Sequence, residues 1–301
     1  MKFIDLKDVR KIYKNKKNIT EWLKKKFRKT HNTSEIIEIA YDLQAGTYIK
    51  FAKSNLKYFK LYTKELSKIL DDHVISNNSL LDIGTGELTT LTYLLNYMIK
   101  KPSKVYAFDL SWSRLIKGKN FFKKNIKNKK IRLSLFSADM ELIPLHSKCI
   151  DFIISNHALE PNGGNLENLL SELFRVAKKK VILFEPSYEL NSIKGKQRMD
   201  KLGYIKNINS VVSKLGGQLI DFIPIKQALN PLNPTACYVI SPPRIKIKKM
   251  SKIIFSIPGT DYPLKKEFDF YVSKETGLAY PIFKGIPILK NSSKILVTAN
   301  F

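Results

Sequence analysis

Leu80-Leu81-Asp82-Ile83-Gly84-Thr85-Gly86 is a short apolar run that breaks into two glycines, and the rest of the chain is read outward from it. Glycine permits positive φ and carries no Cβ, so a strand that ends this way can bring its backbone up to a nucleotide-type ligand. Further along, Val105-Tyr106-Ala107-Phe108-Asp109 ends a second apolar run on a lone carboxylate. A carboxylate there can accept two charge-assisted hydrogen bonds from a ribose diol.

With 301 residues, 44% of them hydrophobic, the chain can bury one large core and a small satellite unit. Its formal net charge of +27 fits a polyanionic partner in principle. The basic residues, however, are overwhelmingly lysine and are spread through the chain, without the arginine forks or glycine-aromatic signatures of base-reading proteins. The denser stretches 11–29 and 244–252 therefore read as solvated surface, with an anionic substrate or headgroup as the alternative. Cys149 and Cys237 suit reduced, buried thiols better than a disulfide or metal framework. No apolar run is long enough to span a bilayer and no secretory signal opens the chain, so the expected compartment is the cytoplasm. Nothing in the sequence fixes an oligomeric state.

Residues 1–33 are basic and helix-compatible, and Thr33 or Ser34 reads as an N-cap before 35–41. The apolar spacing of Tyr48, Phe51, Phe59, Leu66 and Leu70 predicts one long helix over 48–74. From Leu80 onward, strands at 79–83, 104–108, 131–136, 150–155 and 179–185 alternate with helices at 88–100, 111–125 and 164–177, while 137–149 is loop-like. A helical stretch at 196–214 leads to apolar segments at 218–227 and 236–241, joined through Asn230-Pro231-Leu232-Asn233-Pro234. The expected fold is α/β: a Rossmann-like, seven-stranded mixed sheet of five parallel strands and a terminal antiparallel hairpin. A helical N-terminal extension covers 1–47, the sheet domain 48–242, and a small β module 243–301.

In its strand order and motifs the chain resembles the class I S-adenosylmethionine (SAM)-dependent methyltransferases, small-molecule type, from about residue 41 to 240. A dinucleotide dehydrogenase more often carries a third glycine at position 88, which is leucine here; the methyltransferase family also usually has glycine there. The resemblance assigns the methionine part of SAM to Asp82, Gly84, Thr85 and Gly86, and the ribose hydroxyls to Asp109, with Leu110 beside it. Asp109 can also be read as a cap for the helix that starts at Ser111. By the same resemblance Asp139 binds the adenine amino group, Met140 covers the ring, and Asn156 lies near the sulfonium methyl. Tyr41, Gln44 and Tyr48 fall where the family places a segment over the cofactor.

Methyl transfer needs alignment, dehydration and, for a hydroxyl or ammonium acceptor, removal of a proton. His157 is the candidate base and Glu160 the second candidate, although the family's His-x-Leu-Glu segment also shapes the pocket without moving protons. The Asn-Pro-Pro-Tyr and Asp-Pro-Pro-Tyr tetrapeptides of enzymes that methylate exocyclic base nitrogens or glutamine amides do not follow the fourth strand. The expected activity is therefore transfer to an O or N atom of a small polar acceptor, a metabolite or surface-saccharide precursor, leaving S-adenosylhomocysteine (SAH) and using no metal. The alternatives are an RNA- or translation-factor-directed methyltransferase, in which nucleic acid is the partner, and a non-catalytic SAM-binding scaffold.

The stretch Thr276-Gly277-Leu278-Ala279-Tyr280-Pro281-Ile282-Phe283-Lys284-Gly285-Ile286-Pro287 resembles the second half of the small zinc-ribbon protein that activates tRNA and release-factor methyltransferases. In zinc-binding relatives two Cys-x-x-Cys pairs stand about where Ser256-Ile257-Pro258-Gly259 and Ser273-Lys274-Glu275-Thr276 stand here. Hydroxyls do not replace thiolates on zinc at neutral pH, so no zinc is expected. Without metal, such a unit needs another surface against which to bury Tyr280, Ile282, Ile286 and Ile288.

Overall fold

The computed structural model describes residues 6–228, 230–244 and 255–300; most of the basic stretch 244–252 lies outside them. Three helices, α1 (Leu6–Lys14), α2 (Ile19–Phe27) and α3 (Ser34–Leu43), open the chain. Val9, Ile19, Leu23, Ile36 and Ala40 form a small apolar cluster of their own among these helices. Asn18 caps α2 by accepting from the Glu21 N–H, and Thr33 caps α3 by accepting from the Ile36 N–H.

The long helix expected over 48–74 is two helices, α4 (Thr47–Ser54) and α5 (Leu56–His73). Asn55 leaves helical geometry between them (φ −119°, ψ 39°), and its side-chain amide donates to the Phe51 carbonyl. A short polar side chain that bonds locally to the backbone competes with the helix ladder, and periodicity alone does not register this. The stretch 196–214 is likewise divided, into α9 and α10 below, because Gly203 adopts a left-handed terminal turn at φ +66°.

The central elements are β1 (Ser79–Ile83), α6 (Thr89–Tyr97), β2 (Lys104–Asp109), α7 (Trp112–Asn125), β3 (Arg132–Ser137), β4 (Ile150–Asn156), α8 (Leu166–Val176) and β5 (Ala177–Pro186). After them come α9 (Ile193–Leu202), α10 (Ile208–Lys214), β6 (Gln218–Pro224) and β7 (Thr235–Ser241). The sheet order is β3-β2-β1-β4-β5-β7-β6, with β7 antiparallel to both neighbours; five parallel strands and a terminal antiparallel hairpin were expected, and the order across the sheet comes from the structure. Alternation sends Leu81 and Ile83 to one apolar layer and Leu80 to the other, so helices cover both faces. The crossovers from β1 run outward to β2 and then back to β4. That reversal opens a crevice at the carboxyl ends of β1, β2 and β4.

The last strands, β8 (Lys265–Glu267), β9 (Phe270–Ser273), β10 (Leu278–Phe283), β11 (Ile286–Pro287) and β12 (Ile295–Leu296), form a small second sheet. It docks on β3, which would otherwise be a bare sheet edge. Ser137 and Ile288 make a parallel bridge, and the Leu289 N–H donates to the Ser137 carbonyl at 2.7 Å. Tyr280, Ile286 and Leu289 are fully buried, whereas Ile282 and Ile288 are only partly so. Tyr280 and Leu289 share one apolar layer with Leu81 and Phe136 of the main sheet.

Candidate active site

The crevice holds a cavity of about 330 Å³. Its floor is the turn after β1, where Gly84 and Gly86 sit at φ +59° and +56°. A Cβ on Gly84 would lie 2.5 Å from the Ala158 Cβ, and one on Gly86 would lie 2.3 Å from Arg114 Nη2. Gly84 is thus required by the fixed Ala158 side chain as well as by its backbone conformation, whereas at Gly86 the neighbour is the end of a long arginine and the positive φ is the firmer constraint. Leu88, in place of the third glycine, keeps the left-handed backbone at φ +57° and buries its side chain completely.

Asp109 is held from two sides. The Gly86 N–H donates to Oδ2 and the Ser111 N–H to Oδ1, both at 2.9 Å. The Ser111 hydroxyl oxygen caps α7 by accepting from the Arg114 N–H. Asp109 therefore locks the turn to the start of the helix, and each oxygen keeps a lone pair for a diol. Asp82 is buried beneath the turn and accepts from the Thr85 hydroxyl; burial pushes its carboxyl up to about 7, against the lowering effect of that hydrogen bond.

Arg114, which the sequence did not single out, reaches over Gly86. Its guanidinium lies 3.5 Å from Asp109 and stacks on the rings of Tyr41 and Tyr48 at 5.1 and 4.7 Å. Its Nε is buried with no hydrogen-bond partner among the described residues. Glu87 fixes the covering segment: Oε1 accepts from the Gly46 N–H and Oε2 from the Ile49 N–H, so a side chain of the turn caps α4. Neither residue has a sequence signal, because both contacts exist only once α3 and α4 have folded over the turn.

Tyr41, Tyr48, Gly84, Thr85, Asp109 and Leu110 line the cavity, and so do Asp139, Met140, Asn156, His157 and Glu160. Three other candidates do not. Gln44 is the cap residue just after α3, Asp82 lies under the turn, and Gly86 lies behind Arg114.

At the end of β4, Asn156 Oδ1 accepts from the Tyr62 hydroxyl at 2.6 Å. His157 takes a left-handed conformation (φ +54°) and has both ring nitrogens engaged, Nδ1 with Glu160 at 2.9 Å and Nε2 with the Thr235 hydroxyl at 3.0 Å. Burial alone would lower the imidazole, but the hydrogen bond and charge of Glu160, with Glu185 behind, raise it above its ordinary value. Glu185 stands behind this turn, where Oε1 accepts from the Ser155 hydroxyl and the Ala158 and Leu159 N–H groups. Its Oε2 is buried without a partner among the described residues, and burial pushes the carboxyl up to about 7.

At two positions where the zinc-ribbon resemblance looks for ligands, Ser256 Oγ and Ser273 Oγ are buried without partners among the described residues. Hydroxyl donors of this kind do not fit a zinc ion. Among the described residues no group of three or more His, Cys, Asp or Glu could hold a metal, and no helix is long and apolar enough to cross a membrane.

Residues 81–184 match the family described as methyltransferase domain. No curated protein sequence matches the chain. Among solved structures, it is similar to a chain of the complex between the Haloferax volcanii Trm112 methyltransferase activator and a methyltransferase. There the identity is 13% and the TM-score 0.50, over 68% of this chain and 98% of that one. It is also similar to magnesium protoporphyrin IX methyltransferase of Synechocystis PCC 6803 with bound SAH, at 12% identity and a TM-score of 0.48, over 61% and 83% of the two chains. A SAM-dependent methyltransferase of Aquifex aeolicus matches at 20% identity and a TM-score of 0.43, over 60% and 91%. At such identities the structural likeness speaks to the fold alone. With the domain match at its centre, the chain carries a methyltransferase domain on a Rossmann-like α/β fold.

Proposed function

We propose that the protein methylates an O or N atom of a small polar acceptor, a metabolite or surface-saccharide precursor, in the cytoplasm. The observation that carries this reading is Asp109: a buried carboxylate locked onto the glycine turn, facing a cavity in which Asp139 and Met140 stand on the adjoining strand end. SAM supplies, when bound, a methyl group activated on a sulfonium. Asp109 holds the ribose diol, Asp139 the adenine amino group and Met140 the ring face. Tyr41 and Tyr48 close over the top, and Asn156 borders the methyl-transfer position.

His157 and Glu160 act as one unit in this reading. With both ring nitrogens engaged, His157 first positions the acceptor edge, and it accepts a proton only when the acceptor displaces Thr235 from Nε2. His157→Asn separates the roles: loss of turnover with an altered pH profile assigns proton transfer, and an unchanged profile assigns positioning. The functional division remains 1–47 as cover, 48–242 as the methyltransferase domain and 243–301 as a degenerate activator-like module.

Calorimetry tests the whole reading. One site for SAM and for SAH is expected, and Asp109→Ala should weaken both by about 10-fold or more. No binding of either would leave a scaffold. An RNA- or translation-factor-directed enzyme is the second reading, favoured by Lys24 and His31 at a small recess shared with Pro161 and Asn162 of the cavity rim. Tight, salt-sensitive tRNA binding supports that reading, and no binding at moderate salt counts against it.

A further inference from the structure

The cavity reverses the charge balance of the molecule. The chain carries 53 lysines and arginines against 26 acidic residues. Yet among the described residues no lysine lines the cavity and Arg114 is its one arginine, while Glu87, Asp109, Asp139 and Glu160 all reach it. Arg114, Glu87, Asp109 and Asp139 belong to the half formed by the glycine turn, β2 and the loop after β3. In the other half the charged groups are Glu160 and His157, and these bond to each other.

The rest of the lining is largely aromatic and amide. Phe51, Tyr58, Phe59 and Tyr62 come from α4 and α5, Asn230 and Asn233 from the link before β7, and Asn156 from the end of β4, bonded to Tyr62. The rings of Tyr58 and Tyr62 are nearly parallel, 19° apart at 6.0 Å, and Phe59 is braced edge-on by Tyr93 at 5.4 Å. Because Asn156 gives its carbonyl oxygen to the Tyr62 hydroxyl, its amide N–H groups are what it presents to a ligand.

Resting on the methyl-transfer reading, we propose that the acceptor places an uncharged planar ring, aromatic or heteroaromatic, in this half of the cavity. The α4–α5 aromatics meet its face and the asparagine amides its polar edge. Aromatic walls favour a ring face by offset or edge-on contact. Neutral amides supply donors and acceptors to ring-edge oxygen and nitrogen atoms without requiring a charge. An anionic group brought to the same place would lose its water and find no lysine, despite the basic exterior. The ring can belong to a free small molecule or to a base turned out of an RNA strand, and the chemistry of recognition is the same for both.

The test is calorimetry on the full chain with SAH alone, then with 1-naphthol and 1-naphthyl phosphate, each with and without saturating SAH. The naphthol is expected to bind about tenfold tighter than its phosphate. Phe51→Ala and Tyr58→Ala should each weaken naphthol about fivefold and leave SAH affinity within about twofold. Phe51 is 44% exposed and Tyr58 partly exposed, so neither change removes a core side chain. A phosphate bound as tightly as the naphthol, or naphthol binding untouched by both substitutions, overturns the proposal. Absence of SAH binding overturns the methyl-donor reading alone, because the naphthol titrations without SAH still report on the ring site. Competition between unfractionated tRNA and naphthol, weakened in both variants, assigns the ring to RNA; no competition assigns it to a free small molecule.

Discussion

Leu88 shows how a single position can depart from a motif and still serve it. A left-handed backbone costs a non-glycine residue about 1–2 kcal/mol, whereas full burial of a leucine contributes about 1.5–3 kcal/mol. Packed with Leu91 and Leu94, the side chain outweighs the strain. Leu88→Gly is therefore expected to lower stability by about 1–2 kcal/mol in chemical denaturation, even though it restores the family's glycine. Glu185 belongs to the same scale. Its carboxyl is raised to about 7 in the fold by burial, whereas a glutamate in the unfolded chain titrates at about 4.3. Between those values the folded state keeps a proton that the unfolded state has lost, so stability falls as pH rises from about 4 to about 7 and then levels. Asp82, raised to about 7, acts over the same window, whereas the contribution of His157, raised above its ordinary value, is lost at higher pH, as pH rises from that value through the folded one. Glu185→Gln should flatten that fall by up to about 1.4 kcal/mol per pH unit, read from urea midpoints across the range.

Among elements, α3 and α4 are held over the glycine turn by a few polar ties. Glu87 receives the Gly46 and Ile49 N–H groups, Asp42 accepts from the Ser111 hydroxyl and the Ser113 N–H, and Lys117 donates to the Ala45 carbonyl. Glu87→Ala leaves two N–H groups at the start of α4 without their acceptor, an effect of about 1–2 kcal/mol on that helix. Hydrogen exchange at residues 46–50 should speed up by about 10-fold while the strand amides of the sheet keep their protection. Protection at 46–50 equal to that of the parent would mean that Glu87 does not hold the cover. The break at Asn55 has a consequence at this scale too, since it lets Phe51 and Tyr58, from different helices, line one cavity.

Over the whole molecule, the small C-terminal sheet and the main sheet fold as one packed body. Tyr280 is completely buried in the layer that also holds Leu81 and Phe136, and its hydroxyl finds no partner among the described residues. Tyr280→Ala should lower stability by about 3–5 kcal/mol, with one unfolding transition expected for both sheets. Tyr280→Phe should be neutral or stabilising, because it removes a buried hydroxyl that gains no hydrogen bond. Two separate transitions in Tyr280→Ala would show that the two sheets unfold independently. Lys290 ties the C-terminal segment to α3 through Glu38, so the β3 edge and the helix beside the cavity share one support.

The succession of strands and helices along the chain and the turn chemistry are written in local patterns, and these the sequence carried by itself. The buried apolar strands, the paired glycines with their positive φ, the carboxylates at successive strand ends and the hairpin through Asn230 to Pro234 all follow from properties of neighbouring residues. What only the tertiary structure decided depends on residues far apart in the chain. Arg114 over Gly86, Glu87 capping α4, both nitrogens of His157 engaged, and a cavity that no lysine lines among the described residues, in a chain of net charge +27, are results of which surfaces meet. A sequence specifies backbone preference and burial locally, whereas the partner of a charged side chain is settled by packing, where the cost of desolvation selects which pairs survive.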